Sequence, residues 1–148
     1  MIADKNGLPL AVVTGPANQR DEQRVDELLD AVPLIPDRRG NLRDRPRRLL
    51  ADAGYGFWWV IAALLLRGIE PLIRRRGSGA HGSGLGKRRY VVERTMAWFA
   101  GFRRLRVCYE RTPQHWQGLH ELAACVICAN RLHKLRHPPP PRRPRTRF

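Results

Sequence analysis

Two carboxylates in this sequence stand where an acid can take part in chemistry. Asp52 ends "RRLLAD", which has the pattern of a short strand, and sites cluster at the carboxyl ends of strands in open α/β sheets. Glu93 is the one acid in "YVVERTMAWF", an apolar run typical of a helix. Ordinary roles also fit: Asp52 as a turn acid, and Glu93 as the ion-pair partner of Arg89, one helical turn earlier. Taken alone, the pattern favours these structural roles.

Two cysteines and two histidines have the spacing of a zinc ligand set. Their order is Cys125-x2-Cys128-x4-His133-x3-His137. However, "LAACVICANRL" is typical of a helix whose apolar face would hold both cysteines in a core, where free cysteine is commonly found. The core is the stronger interpretation, and a zinc measurement on the purified protein tests the alternative.

The glycine-rich stretch "GSGAHGSGLG", residues 77–86, matches a dinucleotide-binding pattern only formally. It contains G-x-G-x-x-G, but no later strand carries the acid that would bind a ribose. For a phosphate-binding P-loop its glycines are wrongly spaced, and Arg88 follows Lys87 where Ser or Thr is needed. We predict a flexible Gly/Ser loop.

The chain is unusually basic. It has 148 residues, with 28 Lys and Arg against 13 Asp and Glu and a formal net charge of +15. This length suits one domain with its own core. The positive excess favours a polyanionic partner, with nucleic acid first and an anionic membrane surface or an acidic protein second.

Composition also bears on location. The three cysteines cannot all pair within one chain, and no disulfide framework is suggested. The start, "MIADKNGLPLAVV", lacks the basic first region and the cleavage motif of a signal peptide. The longest apolar run, "FWWVIAALLL", is about half the length of the roughly 20 residues that a membrane span needs. We therefore expect a cytoplasmic, nucleoid-associated protein with no membrane partner.

The predicted elements that would position the two carboxylates give a mixed α/β class. First comes a hairpin that turns at Asn6-Gly7, then a helix capped by Asn18 or Asp21. A polar loop, "PLIPDRRGNLRDRPR", leads to the strand that ends at Asp52. The rest is a buried helix "FWWVIAALLLRG", a strand "IEPLIRRR", a helix from Tyr90 to about Phe102, a helix "HWQGLHELAACVICANRLHKL", and a disordered Pro- and Arg-rich tail over 137–148.

Four segments in this order resemble the C-terminal half of bacterial insertion-sequence transposases of the DDE class. They are "GLPLAVVTGPANQRD", "RRLLADAGYG", a long segment with "VVERTMAWF" and "FRRLRVCYER", and "LAACVICANRL". The resemblance covers residues 1–136 and implies a partial RNase H-like fold, with a short mixed sheet and flanking helices. It also implies DNA as the partner, with metal-dependent cleavage of DNA ends and strand transfer.

The resemblance implies roles for particular residues. In the family, three carboxylates hold two divalent metal ions, Mg²⁺ or Mn²⁺. The second Asp, in a D-x-G-Y motif, matches Asp52, and the Glu of the E-R-T motif matches Glu93. An Arg four residues before that Glu matches Arg89 and would support the site. Three further family positions differ, at Gly56, Gly86 and Ala100, where the family has an acid, a Tyr and a Lys.

Basic residues beside such a site would neutralise DNA phosphates. Arg103, Arg104 and Arg106 are the candidates for DNA contact, and a solvated basic face is the equal alternative.

The family's first Asp lies on a first strand upstream of the hairpin, and we expect both to be missing from this sequence. Asp4 lies beside the Asn6-Gly7 turn and does not match that position. Without that first strand, the strand before the hairpin turn and the strand ending at Asp52 would lose the neighbour they share. Two acids alone would bind Mg²⁺ weakly. We therefore expect the chain to be inactive alone. Two explanations stay open: a decayed fragment, or the product of a second reading frame that joins an upstream segment by frameshifting. Whether the chain forms oligomers also stays open.

Three functions follow from these expectations. The first is a portion of a DDE transposase, and the second is a non-catalytic basic nucleic-acid-binding protein derived from one. The third is a membrane-surface protein built around "FWWVIAALLL", for which anionic liposomes are the test.

Overall fold

The computed structural model describes residues 1–37, 39–73 and 86–138, with the backbone alone for 86–89. Its strands are β1 (Ile2–Ala3), β2 (Pro9–Ala11), β3 (Ile35–Pro36), β4 (Leu42–Arg43), β5 (Arg48–Ala51) and β6 (Glu70–Ile73). Its α-helices are α1 (Val25–Asp30), α2 (Trp58–Leu66), α3 (Gly86–Ala100), α4 (Arg103–Arg106) and α5 (Pro113–Arg136). Segments 74–85 and 139–148, which hold most of the predicted Gly/Ser loop and of the tail, lie outside the described residues.

The N-terminal hairpin is confirmed. Strands β1 and β2 pair antiparallel, and Gly7 has the positive φ, 83°, that a left-handed turn position needs. The Asp4 side chain builds the turn, because its Oδ1 accepts the backbone N–H groups of Asn6 and Leu8, both at 2.8 Å. Asp4 is therefore engaged in folding the hairpin.

The predicted helix after the hairpin exists, but its predicted caps are wrong. The chain enters it through a 3₁₀ turn, Asp21–Arg24, followed by α1. Asp21 lies inside that turn, and the capping positions are Arg20 and Arg24, neither of which makes a side-chain cap. Val25 and Leu29 face inward, as the helical spacing predicts.

The segment predicted as a loop before β5 contains a second hairpin, so that prediction is wrong. Strands β3 and β4 pair antiparallel, with Ile35 opposite Arg43 and Pro36 opposite Leu42. The strands are two residues long, and a polar turn rather than an apolar face holds them together. Periodicity therefore has too few residues to indicate them.

The predicted strand–helix–strand order is confirmed as β5–α2–β6, and the structure shows that the two strands form a parallel pair. Leu50 lies opposite Leu72, and Ala51 lies opposite Ile73. Helix α2 is only partly buried, which corrects the prediction of a buried helix: Leu64 is fully buried, whereas Trp58 is 77% exposed. Among the described residues, no helix is long and apolar enough to cross a membrane.

Helix α3 starts at Gly86, four residues before the predicted start, and ends at Ala100. The short helix α4 follows it and was not predicted. Helix α5 is confirmed, and Pro113 occupies its first turn, where a missing N–H costs nothing.

Helices pack on two sides of the N-terminal hairpin. One core cluster joins Ile2 to α1, α2 and the residue before β6. The second cluster joins Met1 and Val12 to Phe99 of α3 and Ile127 of α5. The described strands form three separate two-stranded sheets, so β1–β2 and β5–β6 share no ladder. The fold is therefore a mixed α/β arrangement with small sheets.

Candidate catalytic carboxylates

Asp52 lies immediately after β5, at the carboxyl end of the parallel pair. Its Oδ1 accepts the Ala53 N–H at 2.6 Å, and its carbonyl accepts the Tyr55 N–H at 2.9 Å. These bonds form a 3₁₀ turn over Ala53–Tyr55, and the Asp52 residue remains exposed. The strand end therefore presents a carboxylate to solvent from a hydrogen-bonded turn.

Tyr55 anchors this turn to the protein interior. Its ring packs against the core cluster that contains Val60 and Leu64. Burial raises the pKa of the Tyr55 hydroxyl above its usual value, and the negative charges of nearby acids, Asp21 first, add to this shift. The D-x-G-Y motif thus combines an exposed acid with a half-buried aromatic anchor three residues later.

Glu93 lies on the exposed side of α3. Thr95 and Phe99 of the same helix are buried, with exposed fractions of 0% and 6%. Successive residues turn by about 100° in a helix, so Glu93 and Thr95 point in nearly opposite directions. This explains the acid in an apolar run, since the helix buries one face only. The Arg89 side chain, its predicted partner, lies outside the described residues.

The two residues after Glu93 fix α3 to the N-terminal hairpin. The Thr95 hydroxyl lies 2.8 Å from the Gly7 carbonyl oxygen and 2.9 Å from that of Val91. The Arg94 Nη2 donates to the Asn6 carbonyl at 2.6 Å. Sequence reasoning missed this contact. Its one signal is Thr95 itself, a polar residue four positions from both Val91 and Phe99 on the inward face.

The Arg94 guanidinium lies between two aromatic rings of its own helix. Its carbon is 5.4 Å from the centroid of the Tyr90 ring and 5.2 Å from that of Trp98. Such contacts attract a cation to the ring face and hold the side chain along the helix. Arg94 is thereby directed at the turn rather than into solvent.

Gly7→Ala should weaken this attachment and destabilise the protein by about 1–3 kcal/mol. An added Cβ would lie 2.9 Å from the Thr95 Oγ1, and the residue would keep an unfavourable positive φ. Urea unfolding measures the loss. Gly118→Ala is the matched control, because its Cβ would meet nothing within 4 Å on helix α5, and it should be neutral or stabilising. Equal losses in both variants would contradict the proposed attachment.

A cavity of about 380 Å³ lies between the two carboxylate-bearing motifs. Tyr55 lines it from the turn after Asp52, and Val92 and Met96 line it from α3. Asp52 and Glu93 are not among its lining residues. In the part of the chain that the structure describes, no group of three or more His, Cys, Asp or Glu side chains is arranged to hold a metal ion.

Comparison with known proteins decides what these motifs belong to. Residues 1–128 match the family model described as "Transposase DDE domain". The chain belongs to the transposase DDE domain family. The predicted resemblance is thereby confirmed, and the match includes both Asp52 and Glu93.

One curated relative is a Burkholderia cepacia protein named "Putative transposase for insertion sequence element IS402". It is 45% identical to this chain over 134 residues, which are 90% of this chain and 63% of the relative. The chain thus spans less than two thirds of the length of that relative. No solved structure matches the chain.

The three arginines predicted to contact DNA all lie on α4. All three arginines are exposed, but two of them also make contacts within the protein. Arg104 Nη2 lies 2.6 Å from Glu110 Oε1, and Arg106 Nε donates to the Ala100 carbonyl at the end of α3 at 2.7 Å. Arg103 is exposed at the start of α4. Arg106 thus forms a hydrogen bond with a carbonyl at the C-terminal end of α3. A role in DNA contact stays a prediction for all three arginines.

The zinc-like residues of the transposase domain lie along α5 and its end. Cys125 is exposed, so the prediction that it lies in the core is wrong, whereas Cys128 is partly buried with its Sγ 3.7 Å from the Pro9 carbonyl. Burial raises the Cys128 pKa, which lowers its thiolate fraction. At about 1.5 Å per residue, Cys128 and His133 lie roughly 7.5 Å apart along the helix axis. This spread does not suit a tetrahedral zinc site.

Proposed function

We propose that this chain is part of an insertion-sequence transposase and acts in DNA transposition. The complete enzyme would cleave DNA ends and join their 3′-hydroxyl groups to target DNA. This chain would contribute two of three metal-binding carboxylates, Asp52 and Glu93, with Arg89 in support. The observation that carries the proposal is the family match over residues 1–128, which includes both motifs in order. The enzyme would work on chromosomal DNA in the cytoplasm.

The positions of the two acids support these roles. Asp52 is exposed at the carboxyl end of a parallel strand, where sites of α/β proteins are commonly built. Glu93 is exposed on α3, which Arg94 and Thr95 fix to the hairpin. Both carboxylates are therefore held by structured elements and open to solvent. A rigid support for each acid is what a precisely spaced metal site requires.

The separation of the two small sheets supports an RNase H-like fold that is completed from outside this sequence. Strands β1 and β5 belong to different sheets, although Ile2 of β1 and Leu49 of β5 pack in the same core cluster. In an RNase H-like sheet, a strand that carries the first Asp would lie between them. We propose that an upstream segment of the complete enzyme supplies this strand and the third carboxylate.

The donor set fits a hard divalent cation only in part. Asp52 and Glu93 offer carboxylate oxygens, the ligands that Mg²⁺ and Mn²⁺ prefer, but two acids fall short of the family's three. When bound, such ions supply activation of the attacking oxygen and stabilisation of the leaving oxygen. The chain's own part is to hold the two carboxylates and, through its arginines, to attract and orient the DNA phosphates.

A second candidate function is non-catalytic binding of nucleic acid. The net charge of +15 favours it independently of any acid. In that case the amides Asp52→Asn and Glu93→Gln would change nothing measurable, and affinity would simply fall as salt rises.

The deciding experiment joins this chain to an upstream transposase segment that supplies the missing strand and Asp. We expect the joined protein to nick supercoiled plasmid DNA in Mg²⁺ or Mn²⁺ and to lose this activity in EDTA. The chain alone, at the same concentration, serves as the control and should bind the plasmid without nicking it. A joined protein that folds, binds DNA and never nicks it would contradict the catalytic proposal and leave the binding function standing.

A further inference from the structure

The hairpin β3–β4 and the residues after it form an arginine-lined groove of about 520 Å³. Four arginines line it, and they are Arg39, Arg43, Arg45 and Arg47; the other lining residues are Asp37, Asn41 and Pro46. All four arginines are exposed. The groove lies in the segment that the sequence pattern predicted as a loop, so no function was assigned to it.

Asp37 gives this hairpin a fixed shape. Its Oδ1 accepts the backbone N–H groups of Arg39 and Asn41 at 2.8 and 3.0 Å. Its backbone N–H donates to the Asn41 carbonyl, and Gly40 occupies the left-handed position of the turn with a φ of 83°. The Arg39 and Asn41 N–H groups, together with Arg43, hold the pKa of Asp37 below its usual value. The acid is thus used to build the turn.

The charge around the groove is poorly balanced by the protein. The described residues between positions 37 and 48 include five arginines and two aspartates, a difference of +3. Asp37 faces Arg43 at 3.2 Å, Asp44 lies 3.9 Å from Arg45, and Arg48 pairs with Glu70 at 2.7 Å. Exposed pairs of this kind contribute little. Cations gathered around one groove repel each other in the free protein, and a bound anion would relieve that repulsion.

The lining of the groove favours a phosphodiester backbone over an acidic protein. Among the described residues that line it, Pro46 is the one apolar residue. Protein interfaces place apolar and aromatic residues at their centre, whereas nucleic-acid interfaces are polar and strongly positive. Arginine forks also match phosphate oxygens in pairs. We propose that this groove binds the sugar-phosphate backbone of duplex DNA, an inference that rests on the proposed function.

The groove lies at the opposite end of β5 from Asp52. Arg47 precedes the strand and Asp52 follows it, so five residue steps, about 16 Å, separate them. Along one DNA strand this distance corresponds to about five nucleotides. The groove therefore contacts phosphates that flank the cleavage point and holds the duplex beside it. These contacts are independent of base sequence.

The test is the salt dependence of DNA binding by the full chain. A fluorescent duplex of random sequence is titrated at salt from about 50 to 200 mM, and log K is plotted against log salt. Arg39→Ala, Arg45→Ala and Arg47→Ala are combined in one variant that leaves the Asp37 turn intact. Each lost phosphate contact should make the negative slope shallower by about 0.9, so the triple variant should be shallower by roughly 2.7 than the wild-type chain. A variant with Lys at the same three positions should keep most of the wild-type slope, because it keeps the positive charges.

The matched control removes three exposed cations from the end of α5, through Arg131→Ala, Lys134→Ala and Arg136→Ala. This variant should keep the wild-type slope, and an equal loss in both variants would overturn the groove assignment. If wild-type chain shows no salt-dependent DNA binding, the proposed DNA partner fails together with the groove. If the triple groove variant does not fold, Arg45→Ala alone should lose about 0.9 in slope against none for Arg131→Ala.

Discussion

Glu93→Gln should reduce Mg²⁺-dependent DNA cleavage by the complete enzyme by roughly 100-fold or more, and Asp52→Asn should do the same. Losing one group that stabilises developing charge in a transition state costs about 10²–10³ in rate. Each amide keeps the size of the side chain and removes the negative charge that holds a divalent cation. Plasmid nicking at saturating DNA, with the upstream segment joined to this chain, measures the effect.

Binding separates this role from a general effect of charge. Both amide variants make the protein more positive, so DNA affinity should stay constant or rise while cleavage falls. Glu121→Gln is the matched control, because it makes the same change at an exposed position of α5. It should keep wild-type cleavage. A Glu93→Gln enzyme that cleaves DNA at the wild-type rate would show that Glu93 is not a metal ligand.

The elements read correctly from the sequence are those with strong local signals. Asn6-Gly7 predicts the first hairpin, and its Gly7 does adopt the positive φ that makes this pair a turn signal. The long apolar spacing of α5 and the strand–helix–strand order around α2 were likewise sufficient. These signals span a few residues and need no knowledge of the rest of the chain.

What the sequence could not give depends on contacts between distant residues. The Thr95–Gly7 hydrogen bond joins positions 88 apart, and Asp37 closes its turn through side-chain bonds that have no periodic signature. Asp52 and Glu93 were likewise picked out by a family resemblance rather than by pattern. The pattern alone favoured a turn acid and an ion pair, and Asp52 does cap a turn. The proposed metal ligand Asp52 would therefore fill a structural position as well.

Helix α2 shows a different limit. Its run is apolar on every side, so periodicity gives no direction for the inward face. The structure resolves this, because Leu64 lies in the core beside Val60 and Ile69, whereas Leu66, two residues later, is 89% exposed. Two identical side chains in one helix thus have opposite environments.

Leu64→Ala should destabilise the protein by about 2–5 kcal/mol, because it removes buried methyl groups and leaves a cavity in the main core. Leu66→Ala should change the free energy of unfolding by no more than about 0.5 kcal/mol, since its side chain already meets solvent. Urea unfolding of the full chain, monitored by circular dichroism, compares the free energies of unfolding of the two variants. The dependence of that free energy on urea concentration should be the same in both.

The pair of variants also tests the exposed side of α2. Intrinsic helix propensity changes equally in both, because each replaces leucine by alanine within the same helix. The difference between them therefore reports burial alone. Similar large losses in both would mean that the outer face of α2, with Trp58 and Leu65, is covered in solution. Dilution would then identify the cover: a loss of stability at low protein concentration indicates a second copy of the chain, because only association makes stability depend on concentration.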